Sequence, residues 1–123
     1  MAAEGDIRPA VVGELTVVSE IAEAAYAKYL TRLGRRPVAM DADFRAHISR
    51  SEAHVLEVGG AIAGYIVLIE QPSSLCIDNV AVLPNFQGRK LGQRLLRFAE
   101  DHARNIGQNL VTLHTNKKMT ETN

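Results

Sequence analysis

The chain has 123 residues, 46% apolar and 23% charged, which is enough for one hydrophobic core and excludes a mainly disordered chain. It has no apolar run of about 18 residues, the start lacks the basic and apolar regions of a secretion signal, and the net charge is zero. We therefore expect one domain, residues 1–123, in the cytoplasm, without a membrane or nucleic-acid partner. The single cysteine, Cys76, fits a reducing compartment.

Hydrophobic periodicity and turn residues predict eight elements in the order β-α-α-β-β-β-α-β. In chain order they cover residues 6–9, 13–33, 41–50, 54–58, 61–69, 75–83, 91–106 and 110–114. The two longer helices have apolar residues at three- and four-residue steps, and the short helix places Phe44 and Ile48 on one face. Gly59 and Gly60 supply the positive φ angles that a two-residue hairpin turn requires.

This order predicts a mixed α/β fold of the α+β type with a mostly antiparallel sheet. The strand–helix–strand unit over 75–114 predicts one parallel pair with a right-handed crossover. Strand 75–83 is apolar except at Asp78 and Asn79, which regular alternation places on opposite faces. Cys76 fits a small buried hydrophobic residue in the same strand.

The junction between strand 75–83 and the following helix is suited to bind an anion. Its loop contains Gly88, the first helical amides have no partners within the helix, and the helix dipole adds partial positive charge. Arg89 and Lys90 place full charges beside these amides. Residues 85–107 hold five basic and two acidic side chains, which fits either one small anionic ligand or a solvated helix face.

The sequence around this junction resembles the acetyl-coenzyme A signature of the GNAT N-acetyltransferase superfamily. That signature has a strand of the type Val-Ala-Val-x-Pro followed by Gln/Arg-x-x-Gly-x-Gly/Ala. Here Val80-Ala81-Val82-Leu83-Pro84 matches the strand, and Gln87 and Gly92 match the outer positions of the loop. Lys90 replaces the middle glycine but keeps its backbone amide. The element order over residues 6–115 also follows the family.

The resemblance implies acetyl-coenzyme A as co-substrate, without a metal. In the family, the signature strand bulges and splays from the next strand, so that pantetheine pairs with strand amides while the pyrophosphate lies on the loop amides. The residues of this chain that match are Val80, Ala81, Val82, Gln87, Gly88, Arg89, Lys90, Leu91, Gly92 and Gln93. An amine, on a small molecule or a peptide, attacks the thioester directly, without a covalent enzyme intermediate.

Asp78 is the candidate catalytic residue, either as a general base, acting directly or through water, or as a carboxylate that binds the amine. The alternative is a strand-end carboxylate paired with a nearby cation. His114 is a second candidate base, whereas His102 fits a core histidine. Arg94 and Arg97 either reach a 3′-phosphate or keep a helix face soluble. Three aromatic residues of the first two helices either border the acceptor site or pack in the core: Tyr26, Tyr29 and Phe44.

The family domain usually continues with a fourth helix and two more strands, so the resemblance implies a C-terminally truncated GNAT-like domain. We therefore expect strand 110–114 to have an uncovered edge, through which two chains pair as a homodimer, unless the chain is a fragment of a longer protein. The implied function is an acyl-CoA-dependent N-acetyltransferase. The alternative is a non-catalytic module of the same fold that binds coenzyme A or a protein partner.

Overall fold

The computed structural model describes residues 5–33 and 42–113, without the side chains of 28–33. The helices and strands, in chain order, are β1 (Asp6–Pro9), α1 (Leu15–Leu33), α2 (Phe44–Ser49), β2 (Ala53–Val58), β3 (Ala61–Glu70), β4 (Leu75–Val82), α3 (Leu91–Asn105) and β5 (Val111–Leu113). Short 3-10 turns precede α1 and follow β4. The order β-α-α-β-β-β-α-β is confirmed, with element ends shifted by up to three residues.

The five strands form one sheet in the order β1-β2-β3-β4-β5. The first three strand pairs are antiparallel, and β4 pairs with β5 in parallel. The predicted α+β fold with a mostly antiparallel sheet is therefore confirmed. Among the described strands, β5 forms one edge of the sheet, and Leu113 in it is half exposed. Pairing of two chains through this edge stays a prediction.

Two hydrophobic cores lie on opposite faces of the sheet. Phe44 and Ile48 of α2 are buried in the first, as the spacing predicted. This core packs α1 and α2 against the sheet and includes Val18, Ile21, Ala22, Val55, Tyr65 and Val67. The second packs α3 against the other face and includes Leu56, Ile66, Leu68, Leu75, Ile77, Leu91, Leu95 and Ala99. The amphipathic patterns of the helices thus bury β3 and β4 on both faces.

The contact between β3 and β4 depends on Gly64. A Cβ atom built there would lie 2.6 Å from the carbonyl oxygen of Ala81, closer than any real Cβ contact. Gly64 pairs with Val82 in the register of the two strands. The missing side chain therefore lets β3 approach β4 closely, next to the strand that carries the signature.

A β-bulge in β4 corrects one sequence prediction. Val67 pairs with Asn79 and Leu68 with Ile77, so that Asp78 is an extra residue without a partner in β3. Because a bulge interrupts alternation, Asp78 and Asn79 both contact groups on the α1 and α2 side. The prediction that they lie on opposite faces was wrong, since it assumed an unbroken ladder.

None of the described helices has an apolar stretch that could cross a membrane.

Candidate active site

The site is built around the bulge in β4, directly after its described pairing with β5. β5 pairs with β4 only over Leu75–Ile77 within the described residues. The bulge at Asp78 follows directly. A bulge bends its strand and increases the local twist, so the second half of β4 departs from the direction of Leu75–Ile77. The sequence resemblance implied a bulge in this strand.

The register fixes which backbone groups of β4 point to this open edge. The amide of Leu83 donates to the carbonyl of Ala63 at 2.8 Å, so these two residues form a hydrogen-bonded pair of the antiparallel ladder. Such pairs alternate with pairs whose N–H and C=O groups point away from the partner strand, here away from β3. Val80 and Val82 are outward positions, and the amide of Ala81 points to β3.

Side chains already cap both outward carbonyls. The hydroxyl of Tyr26, in α1, donates to the carbonyl of Val80 at 2.8 Å. The side-chain amide of Gln87 donates to the carbonyl of Val82 at 3.0 Å. The edge therefore presents the amides of Val80 and Val82 as donors, while its acceptors are occupied.

The buried side-chain amide of Asn79 anchors the bulge on the side of α1. Asn79 is 3% exposed, and its Oδ1 accepts from the hydroxyl of Tyr65 at 2.9 Å. The hydroxyl of Tyr26 shares its single proton between the Val80 carbonyl at 2.8 Å and this Oδ1 at 3.2 Å. Burial raises the pKa of Tyr65 far above its usual range, so its hydroxyl stays a donor at every physiological pH. Two tyrosines, one from α1 and one from β3, thus fix the residue that follows the bulge.

The loop after β4 has the geometry of an anion site. Gly88 has a φ of 85° and Lys90, at the start of α3, a φ of 62°, so two of three successive residues are left-handed. The guanidinium of Arg89 lies 5.2 Å from the ring centroid of Phe86. The first amides of α3 have no acceptors within the helix. The loop that follows β4 therefore carries two cationic residues next to the unpartnered amides of α3.

The left-handed backbone conformation of Lys90 is the reason that glycine suits this position of the signature. The left-handed conformation is costly for a residue with a Cβ atom. Lys90 nevertheless adopts it, with a φ of 62°. The departure from the family pattern therefore keeps a conformation that glycine adopts freely, and it adds a positive charge.

A histidine in α2 faces Asp78, and the sequence pattern did not predict this contact. The Nε2 of His47, in α2, lies 3.8 Å from Oδ2 of Asp78, and its Nδ1 lies 2.8 Å from Oε1 of Glu52. The left-handed Ser51 turns the chain so that the amide of Glu52 also bonds the carbonyl of His47 at 2.8 Å. The histidine side chain is 12% exposed and the Asp78 side chain 29%. Asp78 thus has an imidazole partner and access to solvent.

The remaining candidates lie elsewhere. Arg94 donates to the carbonyl of Gly5 at 2.7 Å and ties α3 to the start of β1, whereas Arg97 is exposed. Cys76 is buried, as predicted. His102 is only partly buried, with its ring near those of His54 and Phe98, which departs from the expected core position. His114 and the side chain of Tyr29 lie outside the described residues.

Among residues 5–33 and 42–113, no three histidine, cysteine or acidic side chains form a group that could hold a metal ion.

The model of the acetyltransferase (GNAT) family matches residues 17–121. The chain belongs to this family. The matched range includes the bulge, the outer edge of β4 and the whole signature over residues 80–92. No curated protein sequence matches the chain significantly.

Solved structures of GNAT proteins share the fold. The PaiA N-acetyltransferase of Thermoplasma acidophilum, in complex with coenzyme A, aligns over 98% of this chain and 84% of its own, with a TM-score of 0.77 and 18% identity. A GNAT acetyltransferase of Listeria monocytogenes aligns over 96% and 82%, with a TM-score of 0.74 and 16% identity. The N-acetylglutamate synthase of Neisseria gonorrhoeae, with coenzyme A and N-acetyl-glutamate, aligns over 99% of this chain, with a TM-score of 0.73 and 24% identity. This chain spans only 28% of that synthase.

Proposed function

We propose that this chain is an acyl-CoA-dependent N-acetyltransferase, which transfers the acetyl group of acetyl-coenzyme A to an amine by direct attack. One observation carries the proposal. The outward amides of Val80 and Val82 lie on the β4 edge beyond the bulge, and the same strand leads into the left-handed loop and the start of α3. A ligand with a phosphate end and an extended arm of amide groups matches this sequence of donors.

The residues present fit coenzyme A. Its pyrophosphate would lie on the amides of residues 87–93, where the dipole of α3 and the charges of Arg89 and Lys90 favour an anion. The space around Gly88 is open, so the backbone is accessible to a phosphate group. Its pantetheine carbonyls would accept from Val80 and Val82.

The chemistry follows from positioning. Acetyl-coenzyme A supplies the activated thioester. An outward amide of β4 polarises its carbonyl by donating a hydrogen bond, which becomes stronger as negative charge develops on that oxygen. The fixed edge orients the thioester toward the amine, which lowers the entropic part of the barrier.

Asp78 takes up the proton of the attacking amine in this proposal, directly or through water. The C–N bond forms, the thioester C–S bond breaks, and coenzyme A leaves as a thiolate that takes a proton from solvent. Its carboxylate lies at the bulge, and the Nε2 of His47 lies 3.8 Å from Oδ2 of Asp78. Glu52 bonds the Nδ1 of His47, and this bond keeps the Nε2 edge of the ring toward Asp78. Because Nδ1 donates to the Glu52 carboxylate, the Nε2 of a neutral His47 has a free lone pair, and it can receive the proton from Asp78 after the transfer.

The acceptor is a small-molecule or peptide amine. Among the structural neighbours, one holds N-acetyl-glutamate and another, AAC(6')-Iy, a bisubstrate analogue built on acetylneamine. A fold that accommodates such different amines leaves the choice of acceptor to the surroundings of the bulge.

The test combines calorimetric titration of acetyl-coenzyme A with a thiol-release assay over a panel of amines. Gly88→Glu places a carboxylate where the phosphate approaches and should abolish binding. Gly107→Glu is the matched control, because Gly107 ends α3 with a similar φ of 82° and open space around it. Equal binding by both variants would refute the phosphate site. Binding to wild type without thiol release for any amine would instead favour the non-catalytic module.

A further inference from the structure

We infer that Tyr26 is a positioning residue for the pantetheine arm, which acts by presetting the Val80 amide as a donor. The inference rests on the proposed function, because it needs coenzyme A on the β4 edge. Its basis is the pair of contacts that the Tyr26 hydroxyl makes, at 2.8 Å to the carbonyl of Val80 and 3.2 Å to Oδ1 of Asn79. The Tyr26 hydroxyl thus contacts the Val80 carbonyl, which follows the Val80 amide along the chain, and the side chain of Asn79, the residue before it.

The position of these contacts determines what they control. The amide of Val80 belongs to the peptide group that joins it to Asn79, directly after the bulge. Backbone pairing with β5 is confined to Leu75–Ile77 in the described part of the chain. Beyond that point no strand among the described residues pairs with the outer side of β4, and Tyr26 bonds this side from a helix.

The hydrogen bond from Tyr26 to Val80 also determines whether the strand edge offers donors or acceptors to the ligand. An open strand edge normally offers alternating donors and acceptors. Here Tyr26 occupies the Val80 acceptor, as Gln87 occupies that of Val82. The edge therefore favours a ligand segment that presents carbonyl oxygens, such as the two amides and the thioester of acetyl-coenzyme A.

Tyr65 provides a matched control. Its hydroxyl donates to the same Oδ1 of Asn79 at 2.9 Å, but Tyr65 lies in β3 and makes no hydrogen bond to the Val80 carbonyl in the described structure. Tyr65 is completely buried, whereas Tyr26 is half-buried. Loss of the Tyr65 hydroxyl should therefore cost at least as much stability as loss of the Tyr26 hydroxyl.

The experiment measures two ligands by calorimetry on wild type, Tyr26→Phe and Tyr65→Phe. The first ligand is acetyl-coenzyme A. The second is 3′-phospho-ADP, the nucleotide half of coenzyme A, which reaches the phosphate loop without the pantetheine arm. Urea denaturation of the same three proteins ranks their stability.

The inference predicts that Tyr26→Phe binds acetyl-coenzyme A about 3- to 10-fold more weakly, the range expected for one hydrogen bond, and binds 3′-phospho-ADP as wild type does. Tyr65→Phe should lose less affinity for acetyl-coenzyme A than Tyr26→Phe does, despite its lower stability. A merely structural role predicts the opposite order, with the larger binding loss in Tyr65→Phe.

Three other results would overturn it. Unchanged or tighter binding of acetyl-coenzyme A by Tyr26→Phe would refute the positioning role while leaving the proposed function intact. Equal loss of both ligands would mean that Tyr26 acts on the whole site rather than on the pantetheine edge. Failure of wild type to bind either ligand would refute the proposed function itself, and this inference with it.

Discussion

Replacing Lys90 by glycine should stabilise the protein. Lys90 is left-handed, with φ 62° and ψ 21° at the start of α3. That conformation costs a residue with a Cβ atom about 1–2 kcal/mol, whereas glycine loses up to about 1 kcal/mol more conformational entropy on folding. The net gain is about 0.5–1 kcal/mol, which raises Tm by about 2–5 °C for a domain of this size.

The assay is thermal and urea unfolding of wild type, Lys90→Gly and Lys90→Ala. The alanine variant removes the same positive charge from the helix start, where the dipole disfavours it, but keeps the Cβ atom. The difference between the two variants therefore isolates the backbone. If Lys90→Gly is no more stable than Lys90→Ala, the left-handed loop is absent in solution and the shape of the proposed phosphate site is wrong.

Three further predictions concern the sheet, the second core and the bulge. Gly64→Ala should cost about 1–3 kcal/mol in urea denaturation, since its Cβ meets the Ala81 carbonyl at 2.6 Å, whereas Gly13→Ala, with open space, should cost much less. Burial, and then a neighbouring histidine, lower the pKa of His54, so the unfolded chain binds more protons. Stability should therefore fall as the pH drops below about 6.5, and His54→Leu should flatten that slope in urea midpoints measured against pH; an unchanged slope would contradict it. Asp78→Asn should lower kcat/KM about 100-fold or more while acetyl-coenzyme A still binds; full activity would exclude Asp78 as the proton acceptor.

The element order and the loop were predictable because their signals are local. Helical periodicity and turn glycines depend on neighbouring residues, and the sequence around Gly88 marks a strand that leads into a helix. The family signature added the expectation of a splayed strand. The bulge at Asp78 agrees with that expectation, and the separation of β4 from β5 stays a prediction, since the described part of β5 ends at Leu113, opposite Ile77.

The contacts at the bulge were not predictable from local pattern. Alternation assumes a regular ladder, and the extra residue at Asp78 becomes visible only when β4 is aligned with β3. His47 and Glu52 approach Asp78 through the packing of α2 on the sheet, and the spacing along the chain gives no sign of it. Tyr26 fitted core packing and a functional position equally well, because helix periodicity shows which face is buried and not which atom a hydroxyl reaches.

Amide hydrogen exchange with and without coenzyme A tests the central claim most directly. The amides of Val80 and Val82 point to the open edge, whereas that of Ala81 points to β3. Coenzyme A should slow exchange at Val80, Val82 and residues 88–93, and leave Ala81 protected in both states. Unchanged exchange at Val80 and Val82, in a sample that binds coenzyme A, would show that the ligand does not lie on this edge.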